Sequence, residues 1–324
     1  MNTDTLPTAP PAPMAPALSP HWGDRCFKWL TLAAALSIFV LVVLVGYQLY
    51  KGSQLTLHEF GWRFLTKSTW DPVQEEYGAL PFIYGTFMSS LIALLIAVPL
   101  GVGTAIYLTD LAPLWVRQPL ASVIEMLAAV PSVIWGLWGI FVLVPWLRVQ
   151  VFPVLQKHLG FLPQFQGPIY GIGMLTAGII VAIMILPIIT SVSREVLRSV
   201  PNLQREAAYG LGATRWEVTR IAVLSYARRG LFGAAVLGLG RALGETMAVT
   251  MVIGNRPEIA RSLFAPGYTL SSVIANEFTE ATTDMYLSAI FELGLVLLGV
   301  TIIINVVAQI MIRAITTADT RRVA

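Results

Sequence analysis

Between Lys28 and Lys51 the chain runs through 22 residues, 29–50, without a single charge. At about 1.5 Å of rise per residue such a helix is about 33 Å long, enough to cross a hydrocarbon layer of about 30 Å. A cleaved signal peptide has an apolar core of only about 7–15 residues, so the run reads as a retained span. Five more stretches of membrane length follow, at about 80–109, 120–147, 169–193, 231–253 and 285–312. Runs this long are helices, because a membrane strand needs only about 9–11 residues and backbone polar groups in lipid must be satisfied internally. Composition agrees: of 324 residues 56% are apolar and 12% charged, against about 25% charged in soluble domains. The expected fold is an all-α membrane protein with six transmembrane helices. Pro99, Pro131 and Pro187 fall inside the spans, where a bundle tolerates them, and predict kinks rather than ends.

Residues 1–24 precede the membrane domain, which occupies 25–324. Pro7, Pro10, Pro11, Pro13, Pro16 and Pro20 sit there among Ala and Thr, a composition that cannot bury a core, so a disordered tail is expected. Counting Lys and Arg by loop gives thirteen on the side that holds both termini and seven on the other, with Arg241 left inside a span. Positive charge is retained on the cytoplasmic side of a membrane, which puts both termini in the cytoplasm. Seven of the thirteen inner charges lie in one loop, about 194–229.

Several function classes drop out. A net charge of +3 is too small to support a nucleic-acid partner held by phosphate neutralisation. Cys26 is the single cysteine, and His21, His58 and His158 are scattered, so neither a disulfide nor a metal site is expected. None of Lys28, Lys51, Lys67 and Lys157 follows a glycine, which excludes a phosphate-cradling P-loop, and no nucleophile elbow or His-Glu-x-x-His pair is present. No enzyme active site is read in the chain, and no cofactor of its own is expected.

Two loops are more than connectors. In the outer segment 51–80, Leu57, Phe60, Phe64 and Leu65 recur at helical spacing with Trp62 and Trp70 nearby, which predicts a short interfacial helix. In the inner loop, Pro201 fits a helix start, Gly210 and Gly212 supply a turn, and Thr214 with Glu217 forms a capping-box pattern. Helix, glycine turn and helix would project from the membrane as a knob.

The fifth span places Arg241 about eleven residues from its inner end, near the bilayer midplane, with Glu245 four residues on. A central Arg costs about 2.5–3.5 kcal/mol on insertion scales, so intramembrane charges mark transport paths. An unbroken helix would set Arg241 and Glu245 on one face, within pairing reach. The guanidinium can hold an oxyanion by paired charge-assisted hydrogen bonds, and the carboxylate would compete and favour release. Gly240 and Gly244 make a small-xxx-small spacing that predicts close helix packing. Glu125 and Glu292 lie near span ends, where snorkelling or local hydrogen bonding accounts for them.

Glu206-Ala207-Ala208, three intervening residues and Gly212 resemble the EAA signature of permease subunits of bacterial import ABC transporters. The family pattern continues to Ile-x-Leu-Pro, where this chain has Ala222, Val223, Leu224 and Ser225. The run 238–249 with Val252 to Asn255, Trp70-Asp71-Pro72 with 77–81, and 131–139 are similar to phosphate-importer permeases of the PstC type. The resemblance covers the chain from about residue 25. It implies the type I importer permease fold with a cytoplasmic coupling helix, in a bacterial inner membrane. It further implies inorganic phosphate as cargo, a second homologous permease, a periplasmic phosphate-binding protein, and a dimeric ATPase that carries ATP and Mg. Glu206, Ala207, Ala208 and Gly212 would then dock the ATPase, and Arg241 and Glu245 would line the path. A second cation is expected there, since phosphate near neutral pH carries between one and two negative charges. The alternative is a gradient-driven secondary anion transporter or channel, which would need no knob.

Overall fold

The computed structural model describes residues 22–323, with side chains described through 313. The Pro-rich tail lies outside the described residues as far as residue 21, while residues 22–24, expected to belong to it, already open the first helix. The chain divides into two units, Met1–Gln48 and Leu49–Ala324. The first holds most of α1 (Trp22–Gly52), whose residues are none of them buried.

In the second unit the outer segment folds as α2 (Gln54–Glu59) and α3 (Arg63–Thr66), two short helices where one was expected. The next span, α4 (Leu80–Ile106), absorbs Pro99 and runs into a wide π-helical turn at Tyr107–Leu111. Then come α5 (Leu114–Ala128), α6 (Ser132–Trp138), α7 (Val144–Trp146) and α8 (Phe152–Leu159), the last three joined by π turns into one span, Ser132–Leu159. The long helix α9 (Met174–Arg198) contains Pro187. The inner loop forms α10 (Asn202–Gly210) and α11 (Arg215–Val218), and a π turn at Thr219–Val223 leads into α12 (Leu224–Leu243). Short helices α13 (Met247–Ile253) and α14 (Leu270–Glu277) precede α15 (Asp284–Val323). Six helices among the described residues are long and apolar enough to cross a membrane.

The third span departs from expectation. The run at 120–147, with Glu125 near its start, merges two helices, because Pro131 is not an internal kink but the extended residue (ψ 142°) that precedes α6. Proline lacks an N–H and biases its predecessor away from helix, so α5 stops at Ala128 and the span starts after it. Helix α5 carries Arg117 and Glu125 and is too short and too polar to be the crossing.

The core centres on α9. Ala177, Ile180, Ala182, Ile185 and Ile189 are buried together with Ile92, Ala93 and Ala97 of α4 and with Ala248, Val249 and Val252 of α13. Small residues let these backbones approach, which matters where surrounding lipid is as apolar as the side chains themselves. At the outer end Trp70, Tyr77, Phe82, Tyr268 and Tyr286 form an aromatic cluster, with Trp70 edge-on to Phe82 at 4.9 Å and Tyr77 stacked on Tyr286 at 5.7 Å. Gly85 faces the backbone here, where a Cβ would sit 2.0 Å from the Tyr268 carbonyl oxygen, so only glycine lets α4 meet the start of α14.

Candidate translocation site

Span five is not one helix. Helix α12 ends at Leu243, Gly244 caps it in a turn (φ −91°, ψ 0°), Glu245 and Thr246 lie outside helix, and α13 begins only at Met247. Among the described residues the fifth helix long and apolar enough to cross a membrane is Arg215–Leu243, where 231–253 was expected, so the break follows directly on its end and falls within the expected run. Non-helical backbone inside a membrane persists only where protein or a water-filled cavity surrounds it. Here α14 supplies the protein. Ser271 Oγ donates to the Glu245 carbonyl oxygen at 2.7 Å. Its helix is held in turn by a Thr269–Ser272 capping box and by the Leu270 N–H, which donates to Thr86 Oγ1 of α4 at 2.9 Å.

The break separates the two charges that a continuous helix would have paired. Arg241, in the last turn of α12, is exposed and makes no ion pair within 4.0 Å among the described residues. Glu245 is buried, 8% exposed, and its Oε1 accepts from the Ala248 N–H at 3.5 Å, over the first turn of α13. The expected intrahelical pair is therefore corrected: Gly244 interrupts the register that i and i+4 need, and the carboxylate turns towards backbone donors instead. The close packing expected at Gly240 is not made among the described residues: Gly238 meets Ile189, whereas a Cβ on Gly240 would meet nothing within 4 Å.

At the inner side the knob forms as its sequence predicts. Thr214 N–H donates to Glu217 Oε2 at 2.8 Å and Glu217 N–H to Thr214 Oγ1 at 3.4 Å, while Gly212 takes φ +84°, a left-handed turn that glycine adopts without strain. Glu206 and Ala207 are exposed on α10, Ala208 is half-buried, and Leu203, Leu211 and Trp216 stand 75%, 90% and 59% exposed around them. Apolar side chains gathered on a projecting loop mark an interaction surface.

Three groups escaped the sequence reading. Asp110, at the end of α4, binds Arg205 of α10 and the Thr219 hydroxyl. Ser271 holds the break. Glu277 accepts from Trp70 Nε1 at 2.8 Å and from the Tyr286 hydroxyl at 2.7 Å; burial pushes its carboxyl up from the ordinary value, and these bonds oppose the shift. Only a lone acidic residue bordering a span signalled Asp110, and nothing signalled the others. Glu125, read as hydrogen-bonding locally, takes Arg194 Nη2 at 2.8 Å, and Glu292 is buried on α15.

Comparison with known proteins adds ancestry to this geometry. Residues 97–317 match the family described as binding-protein-dependent transport system inner membrane component. The phosphate transport system permease protein PstC of Mesorhizobium japonicum is 50% identical over 90% of both chains. Its counterpart from Haemophilus influenzae is 48% identical over 90% of this chain and 93% of that one. Among solved structures, a chain of the inward-facing MetNI methionine ABC transporter aligns with a TM-score of 0.50 at 16% identity over 74% of this chain and 94% of its own. A bacterial ABC transporter involved in import of the acidic polysaccharide alginate gives 0.50 at 18% identity over 91% and 99%. At such identities the structures speak for the fold alone, and it is the ABC importer permease fold. With more than half of its length in the family model and about half of its residues shared with PstC permeases, the chain belongs to the binding-protein-dependent transport system inner membrane components, in their PstC branch.

Proposed function

We propose that this chain forms one half of the translocation path of an ATP-driven inorganic phosphate importer in a bacterial inner membrane. The observation that carries the proposal is Arg241, a guanidinium within the expected fifth span, exposed beside a glycine and making no ion pair within 4.0 Å among the described residues. Left against lipid it costs about 2.5–3.5 kcal/mol. A second homologous permease packed there would cover it and leave a polar path between the subunits, with Arg241 offering paired donors to phosphate oxygens. The partner would add the further cation that an anion of more than one charge needs. Glu245 waits behind the break; a movement bringing it to Arg241 would compete with the anion and release it.

The relatives named phosphate transport permeases support this cargo. The knob supports an outside source of work: Glu206, Ala207, Ala208 and Gly212 would dock a dimeric cytoplasmic ATPase carrying ATP and Mg, while this chain binds no cofactor. Both termini would lie in the cytoplasm, and a periplasmic phosphate-binding protein would deliver cargo to the opposite face. In cells that depend on this importer, Arg241→Ala should cut uptake of radiolabelled phosphate at least about tenfold, the loss of one or two charge-assisted hydrogen bonds, while the assembly still co-purifies. Uptake at the wild-type rate would reject the role given to that side chain.

A further inference from the structure

Helix α10 has two faces with different tasks. Glu206 and Ala207 point outward, whereas Arg205 points inward and is half-buried. Its guanidinium is divided: Nη1 donates to Asp110 Oδ1, and Nη2 donates to the Leu197 carbonyl oxygen in the last turn of α9 at 2.9 Å. The other Asp110 oxygen, Oδ2, accepts from Thr219 Oγ1 at 3.2 Å, a hydroxyl proton shared with the Arg215 carbonyl at 3.0 Å. The carboxylate thus ties the turn after α4 to α10 and to the start of the α11–α12 connection, and Arg205 carries the tie on to the end of α9. Beneath it Ala105, Leu197, Val200, Val223 and Ala227 pack as a small apolar cluster.

Two features set this contact apart from an ordinary surface pair. First, the side chains of Asp110 and Arg205 are only 9% and 20% exposed, so removing either partner leaves a largely desolvated charge uncompensated. The neighbouring Arg194–Glu125 pair, with Glu125 55% exposed, is the weaker tie. Second, Asp110 lies in the π turn Tyr107–Leu111 and Thr219 opens the π turn Thr219–Val223. Such turns interrupt the regular hydrogen-bond ladder and are points where helices bend. Two bendable turns are therefore cross-linked through one buried carboxylate.

We infer that Asp110 is the positioning residue that fastens the docking elbow to the membrane core, so that displacement of α10 reaches α4 and α9 instead of being absorbed at the glycine turn. The inference rests on the importer reading above and adds the route by which work enters the core. Two measurements on Asp110→Asn test it. Amide hydrogen exchange of the purified full-length chain should rise about tenfold over 202–210 relative to wild type, a local opening without global unfolding. In proteoliposomes holding the whole transporter, phosphate moved per ATP hydrolysed should fall about tenfold, within the usual range of site-to-site coupling, with ATP hydrolysis retained, and Asp110→Glu should restore part of the ratio. Should the Asn variant not assemble, Thr219→Val, which removes a single donor, is read in the same way. Unchanged exchange over 202–210 would overturn the inference, and so would faster exchange with an unchanged phosphate-to-ATP ratio. A wild-type assembly without ATP-driven uptake would overturn the importer reading instead, and is told apart because exchange compares only two forms of this chain.

Discussion

Charge placement separates the roles of individual residues. Arg241 is exposed and makes no ion pair within 4.0 Å among the described residues, whereas Glu245, Asp110 and Glu277 each accept hydrogen bonds from within the chain. Glu277 lies outside the spans and its carboxyl is pushed up from the ordinary value by burial. A carboxyl raised in this way favours the fold while protonated, below its unfolded pKa of about 4.3, and that contribution is lost as pH rises through the folded value. Glu277→Gln keeps an acceptor for Trp70 and Tyr286 without the charge. Thermal unfolding of the purified protein should therefore show the Gln variant gaining on wild type between pH 5 and pH 8; a difference that does not change with pH would contradict the assigned cause. Arg241 was legible in the sequence because a lone cation in an apolar run stands out. Asp110 and Glu277 were not, since Arg205 is 95 residues from Asp110, and of the two donors on Glu277 one, Trp70, is 207 residues away and the other, Tyr286, is 9 residues away on the next helix.

Apolar periodicity and charge gaps identify long helices well and their interruptions poorly. Helix α4 starts at the expected residue 80, α9 lies five residues later than the run 169–193, and α15 starts at Asp284 but continues eleven residues past 312, while the capping box at Thr214 and the Gly212 turn are where local sequence rules put them. The break at Gly244 is invisible because glycine is common in membrane helices, and what holds it open is Ser271, on a different element. Pro131 misled for the opposite reason: proline can bend a span or end a helix, and only packing decides. Element α10 has a sharp expectation of its own. Ala207 is exposed on the face proposed to dock the ATPase, so Ala207→Arg should leave insertion and folding intact while it blocks close approach of a partner. Pull-down of the ATPase from membranes should be lost; retention at wild-type levels would mean that another surface carries the contact.

Across the molecule, the core around α9 is complete in one chain, while the face of α12 with Gly240 and Arg241 is not. On the proposed reading the path is completed by a second permease, and the exposed knob with Leu203, Leu211 and Trp216 is the surface offered to the ATPase. Uptake of radiolabelled phosphate into proteoliposomes tests this division of labour most directly. The purified chain alone should move no phosphate under a proton or sodium gradient, and uptake should appear only when the second permease, the ATPase, the binding protein and ATP are all supplied. Gradient-driven uptake by the chain alone would contradict it.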